Sequence, residues 1–273
     1  MNKMNKYKKQ LVAGEASECL LLDSTGRRMA NALELLSITN GTAGNNAGTH
    51  NSLFRGKNLG SALTPEQSAA IVAGTFDDLF VGDYWVINNV RYRIAGFDIF
   101  LHTGDTELTN HHAVIVPDTN LYNAQMNTQN VTTGGYYNSA MKQSNLAQAL
   151  TTVRNAFGAA HIVKRKALFT NAVSGDNPSG WSWYESEIDL MTERQVYGSP
   201  AWGQEQHNGY DAGADYSRFP LFTLAPEFIT NRAWYWLRDV RSASAFAYVD
   251  SYGLASYTGA SISSGVRPAF LIA

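Results

Sequence analysis

The sequence predicts an α+β domain, irregular and rich in loops. Three observations carry this: two helices ahead of residue 160, a hairpin closed by an Asn-Asn turn, and a closing run of strands. Thr64-Pro65-Glu66-Gln67 reads as a helix start, with Thr as cap, Pro in the first turn and Gln at the capping-box position, and Gly74 ends it. Asp83 to Ala95 reads as two strands around Asn88-Asn89, because aromatic and branched residues flank a pair suited to a tight turn. His112 to Pro117 is a buried-type strand. Between Asn138 and Gly158, Leu146, Leu150, Val153 and Phe157 form one apolar stripe, and Gly158 is placed as a stop. Glu187 to Leu190 is a short strand, and Thr192 with Gln195 repeats the capping-box signal. The chain closes with strands at Trp234–Arg238, Ala245–Tyr252 and Gly265–Ile272. The first of these is expected to be central, and the last to close the sheet near the hairpin.

The N-terminal region has a different texture. Residues 1–37 join a tip carrying Lys3, Lys6, Lys8 and Lys9 to an amphipathic run, Met29, Leu33, Leu35 and Leu36. A short helix alone is marginal in water, so this segment is expected to serve attachment or oligomerisation. Thr39 to Ala62, dominated by Gly, Asn, Thr, Ser and Ala, suits a loop or a pinned linker. The expected organisation is an attachment segment over 1–37, a linker and short helix over 38–74, and one large domain over 75–273.

Composition excludes several function classes. A formal charge of −2 gives no field to hold a polyanion, so no nucleic-acid partner is expected. Charged residues make up 16% of the chain, against roughly 25% in an ordinary domain, so Asn, Ser, Thr, Gly and Tyr must carry the surface. Cys19 stands alone, which rules out a disulfide within the chain and a cysteine zinc cluster. The apolar stretch Cys19–Leu22 is too brief for a signal segment or a membrane span. The expectation is synthesis in a cytoplasm, no signal peptide and no membrane insertion.

Trp234-Tyr-Trp-Leu-Arg-Asp239 and, after some twenty-five residues, Gly265-Val-Arg-Pro-Ala-Phe270 resemble the C-terminal signature of C-type-lectin-like domains of phages and gut bacteria. Ile38–Gly44, Phe54-Arg-Gly56, Gly82-Asp-Tyr-Trp85 and Val116-Pro-Asp-Thr-Asn120 extend the resemblance over most of the chain after residue 38. It implies a receptor-binding or adhesion protein at a tail-fibre tip or on a virion surface, and fibre-tip proteins of this type are commonly trimers. The implied partners are a bacterial host surface receptor, protein or glycan, other virion proteins, and further copies of the chain. Some relatives are diversified by retroelements that miscopy template adenines into a C-terminal variable region. An AAC-type codon randomised at its adenines never yields Lys, Glu, Gln, Met or Trp. These five types make up 39 of the 273 residues, yet none occurs in Asp239–Ser264, where about four would be expected from composition.

The candidate binding face follows from alternation. Phe246, Tyr248, Asp250 and Tyr252 fall on one side of a strand, and Ala247, Val249 and Ser251 on the other. The small or branched side suits an interior, which leaves the Tyr and Asp side outward, where Tyr offers contact area at low entropic cost. The competing reading is that these aromatics are core. Leu254, Ser256, Tyr257, Ser261 and Ser263 follow in a Gly-punctuated stretch as further ligand-binding candidates.

Other chemistry is less well supported. Trp181, Trp183, Trp234 and Trp236 suit a sugar-stacking platform, but Trp-Tyr-Trp within a strand reads better as core and frame. Arg238 and Arg267 are expected to bond backbone carbonyls or Asp239. His111 and His112 point to opposite faces of a strand and so do not share a metal ion. The calcium motifs of sugar-binding C-type lectins are missing, so neither metal nor cofactor is expected. Glu185 and Glu187 beside Trp181 and Trp183 faintly resemble a glycan-cleaving pair. The leading expectation is a non-enzymatic receptor-binding protein. The alternatives are a virion structural protein, such as a head fibre or decoration subunit, and a carbohydrate-active enzyme.

Overall fold

The computed structural model describes residues 45–203 and 217–273. The expected attachment segment 1–37 and the Ile38–Gly44 block lie outside the described residues. The architecture is α+β, with strand outweighing helix. A short helix α1 (Ala47–His50) and strand β1 (Asn58–Gly60) precede helix α2 (Pro65–Val72). Strands β2 (Tyr84–Ile87), β3 (Val90–Phe97), β4 (Ala113–Pro117) and β5 (Tyr122–Ala124) follow. A π-turn over Met141–Asn145 then leads into helix α3 (Leu146–Phe157). The hairpin of β6 (Arg165–Ser174) and β7 (Asn177–Ser186) comes next, then β8 (Ile188–Leu190) and helices α4 (Glu193–Tyr197) and α5 (Pro220–Leu224). The chain ends with β9 (Tyr235–Ser242), β10 (Ala245–Val249), β11 (Ala255–Gly259), β12 (Ser264–Val266) and β13 (Pro268–Ile272).

The described strands form three sheets: β1-β2-β3-β4-β13-β8, β11-β10-β9-β12-β5, and the β6-β7 pair. Local signals act as read. Thr64 and Thr192 each close a capping box with the Gln three residues on, and Asn88 and Asn89 take the left-handed conformation that a two-residue hairpin turn requires. Helix α3 buries Leu146, Ala149, Val153 and Phe157. The Phe157 ring meets Trp85, Tyr92 and Phe270 edge-on at 5.6, 5.3 and 5.5 Å, which ties the helix to strands β2, β3 and β13 of the first sheet.

Two expectations are corrected. Residues 45–74 are built into the domain rather than leading up to it. β1 pairs with β2, His50 is buried with its ring stacked on Phe80 at 4.8 Å, and Phe54 bridges to Val81. The boundary placed at residue 75 therefore cuts through a packed unit. Gly265–Ile272 is also two strands rather than one closing strand. It breaks at Arg267, with β12 in the second sheet and β13 held between β4 and β8 inside the first. A fully buried arginine cannot sit in a continuous apolar strand without partners. Its guanidinium donates to the carbonyls of Pro117 (2.8 Å), Ile229 (2.9 Å) and Phe228 (2.9 Å), and so ties the break between β12 and β13 to the end of β4 and to the turn over residues 226–229.

The sequence blocks that carry the family resemblance meet in space. Buried Asp83 accepts Arg55 and the Lys57 and Phe80 amides, joining the Phe54–Gly56 block to the Gly82–Trp85 block. Gly82 lies against the Phe54 ring, where a Cβ would fall 2.1 Å from a ring carbon. Asn120 donates to the Trp234 carbonyl at 2.9 Å, and the Gly265 amide reaches the same oxygen at 3.1 Å. A Cβ on Gly265 would lie 1.9 Å from Asn120 Nδ2, so this junction of three blocks closes only around glycine.

Candidate functional site

The second sheet carries the C-terminal surface. Its centre is apolar frame: Tyr235, Trp236, Leu237 and Val240 of β9 are buried, and the Trp236 indole donates to the Ala124 carbonyl at 2.9 Å. All five residues of β10 are buried as well. Phe246 and Tyr248 are therefore corrected from outward-facing ligand residues to core. Phe246 pairs with Val240 and Thr258, while Tyr248 lies under Trp234 (5.0 Å) and against the edge of Trp236 (6.3 Å). The alternation misled because it separated large from small side chains rather than apolar from polar. Both faces of β10 are covered, and aromatic rings fill one of them.

Beyond Val249 two of the expected side chains, Tyr252 and Leu254, are exposed. Strand β10 stops there, and residues 250–254 form a tight turn into β11. Asp250 is half-buried, and its Oδ1 accepts the amides of Tyr252 (2.8 Å) and Leu254 (2.9 Å). The Asp250 amide donates to Leu254 O and the Gly253 amide to Asp250 O, with Gly253 in the left-handed region. Thr230 Oγ1 donates to Ser251 O and the Tyr197 hydroxyl to Gly253 O, fixing the turn from outside. On this backbone Tyr252 is 82% exposed and Leu254 63% exposed. Asp250 is thus a positioning residue, and the two apolar side chains it presents face solvent.

Tyr257 is 45% exposed and Ser256 half-buried on β11. Ser261 is tied down by Asn130, which accepts its amide and hydroxyl at 2.9 and 2.8 Å, whereas Ser263 is exposed. Two aromatic residues join the surface that the alternation argument left out. Trp234, expected as frame, is 47% exposed above Tyr248, and Trp202 is 41% exposed against Tyr257 with centroids 4.9 Å apart. The Trp202 indole donates to Ala255 O at 2.9 Å. Its backbone is set by Glu193, at the start of α4, whose buried carboxylate accepts the amides of Ala201, Trp202 and Gly203. Beside it, burial and the Glu193 charge push the Asp239 carboxyl up to about 7. The signal that marks Trp202 in the sequence is a lone tryptophan in a polar stretch, Ser199 to Gln206, with no apolar periodicity to place it in a core.

The remaining candidates are committed elsewhere. Trp181 and Trp183 are half-buried in the β6–β7 hairpin, facing Thr170 and Leu168. Glu187 is paired with Arg154 at 2.7 Å and Glu185 with Lys164 at 3.5 Å. His111 and buried His112 share Asp98, which takes the His111 ring at 2.6 Å and the His112 amide at 2.9 Å. Among the described residues no three His, Cys, Asp or Glu side chains gather in a way that would hold a metal ion, and no helix is long and apolar enough to cross a membrane.

Comparison with protein-family models, with curated proteins and with solved structures returns no match.

Proposed function

We propose that this chain is a non-enzymatic binding protein of the phage receptor-binding or adhesion type, with a C-type-lectin-like scaffold that presents the β10–β11 turn and its surroundings to a host surface receptor. One observation carries the reading. The most exposed large side chains of the C-terminal region, Tyr252 and Leu254, sit on a turn held by four hydrogen bonds from within and two from neighbouring segments. Exposed apolar groups on a rigid backbone meet a partner at low ordering cost, which is what a binding surface needs. The run lacking Lys, Glu, Gln, Met and Trp includes this turn. Diversification there would be tolerated at Tyr252, Leu254, Tyr257 and Ser263, and resisted at buried Phe246 and Tyr248.

The pairing of Glu185 and Glu187 with lysine and arginine favours binding over glycan cleavage, because neither carboxylate stands free beside the tryptophans. The reading is tested by exposing a panel of gut-bacterial strains and a glycan array to the wild-type protein. Retention on a subset of strains or glycans is expected. Retention on none, or turnover of cell-wall polysaccharide, would contradict it.

A further inference from the structure

Among the described strands β11 is an edge of the second sheet, and its hydrogen-bonding register with β10 is set at both ends. Asp250 N donates to Leu254 O, and Ala260 N donates to Ser244 O. Between these closures the Cα register runs Val249↔Ala255, Tyr248↔Ser256, Ala247↔Tyr257 and Phe246↔Thr258. Antiparallel pairs alternate, so Ser256 and Thr258 turn their backbone groups toward β10, while Ala255, Tyr257 and Gly259 turn theirs away. Ala255 O is taken by the Trp202 indole and Gly259 O by the Ile262 amide. The Tyr257 amide and carbonyl, and the Ala255 and Gly259 amides, have no partner among the described residues.

Among the described strands, the other three edges of the two larger sheets are β1, β8 and β5, each only three residues long. Proteins restrain open edges by shortness, by lysine or proline, by bulges or by cover. Strand β11 has five residues in unbroken register with β10, and the chain from Ser251 to Val266 contains neither a charge nor a proline. Among the described residues its one guard is Trp202, at one end. An apolar face accepts many kinds of occupant, whereas the Tyr257 amide and carbonyl, flanked by the Ala255 and Gly259 amides, are complementary to another extended backbone.

We propose that the β11 edge takes up an extended, uncharged segment of a protein partner, which adds as a sixth strand through the Tyr257 amide and carbonyl. The inference rests on the binding reading above and narrows its ligand to a polypeptide. Strand addition through Tyr257 supplies register and main-chain bonds, while Tyr252, Leu254 and the Trp202–Tyr257 pair flank the added strand and read its side chains.

The test uses peptides selected from a random dodecapeptide library on the full chain. Tyr257→Pro removes an amide that points away from β10, so the sheet keeps its own bonds while the edge loses a donor. The selected peptides should bind Tyr257→Pro at least about tenfold more weakly than Tyr257→Ala, which loses the same ring but keeps the amide. Methylating alternate peptide nitrogens should produce the same loss on wild type, a measurement that stands even if the proline variant fails to fold. Equal binding by Tyr257→Pro, indifference to N-methylation, equal loss with alanine and proline, or failure to select any peptide would each overturn strand addition. The Tyr252→Ser/Leu254→Ser variant separates the two readings. If it still loses host-cell retention while the proline variant binds normally, the edge proposal alone fails.

Discussion

Asp250 Oδ1 accepts the Tyr252 amide at 2.8 Å, so the most exposed large side chain of the C-terminal region grows from one of its best-held backbones. The same oxygen accepts the Leu254 amide. Replacing the acceptor and replacing the side chain it positions should therefore have opposite consequences. Asp250→Ala should cost about 1–3 kcal/mol in chemical denaturation, the net worth of two hydrogen bonds to a charged group, reduced by partial exposure. Tyr252→Ala should cost no more than about 0.5 kcal/mol. Equal costs would mean that Tyr252 packs against the fold rather than away from it.

The frame beneath is predicted to behave differently. Trp236 is fully buried, donates to Ala124 O and borders Tyr248. Trp236→Ala should destabilise by about 3–5 kcal/mol, visible as loss of the cooperative thermal transition at physiological temperature. Trp234→Ala, two residues earlier and half exposed, should cost clearly less. A similar melting temperature for the two variants would contradict the division between frame and surface.

What the sequence made legible was local. The capping boxes at Thr64 and Thr192, the Asn88-Asn89 turn and the stripe of α3 lie within a few residues of their own signals, and they formed as read. Contacts between distant residues were harder to read. Trp202 joins the surface through Tyr257 and through Glu193, and neither relation leaves a periodic trace. The break at Arg267 did have a signal, an arginine before a proline in an apolar run, but a strand beginning at Gly265 concealed it. The alternation from Phe246 to Tyr252 crossed the end of a strand, so one rule was applied to two environments, a covered strand and an open turn.

Acid should weaken the first sheet through His112. Burial pushes this imidazole down to about 4, against the pull of Asn110 O and Asp98, and its Nε2 accepts the Phe100 amide, which only the neutral ring can do. The stability it contributes is fully present above its ordinary value of 6.5 and is lost as pH falls toward 4. Asp239, raised to about 7, runs the other way, its contribution declining as pH rises from 3.8 through 7. Total stability therefore mixes the two, and the difference between wild type and His112→Gln isolates the histidine. Urea unfolding at several pH values should show wild type losing more stability than the variant between pH 6.5 and 4. Parallel curves would mean that His112 titrates unhindered in the folded chain.

Tyr252→Ser/Leu254→Ser separates binding through these two exposed side chains from the fold that Asp250 and the turn backbone help to hold. On a bacterial strain that retains the wild-type protein, the double variant should show at least about a tenfold weaker retention, because a few apolar anchors carry most of an interface. Its thermal transition should stay cooperative, with each substitution costing within about 0.5 kcal/mol. Undiminished retention by the folded double variant would mean that Tyr252 and Leu254 are not the binding surface.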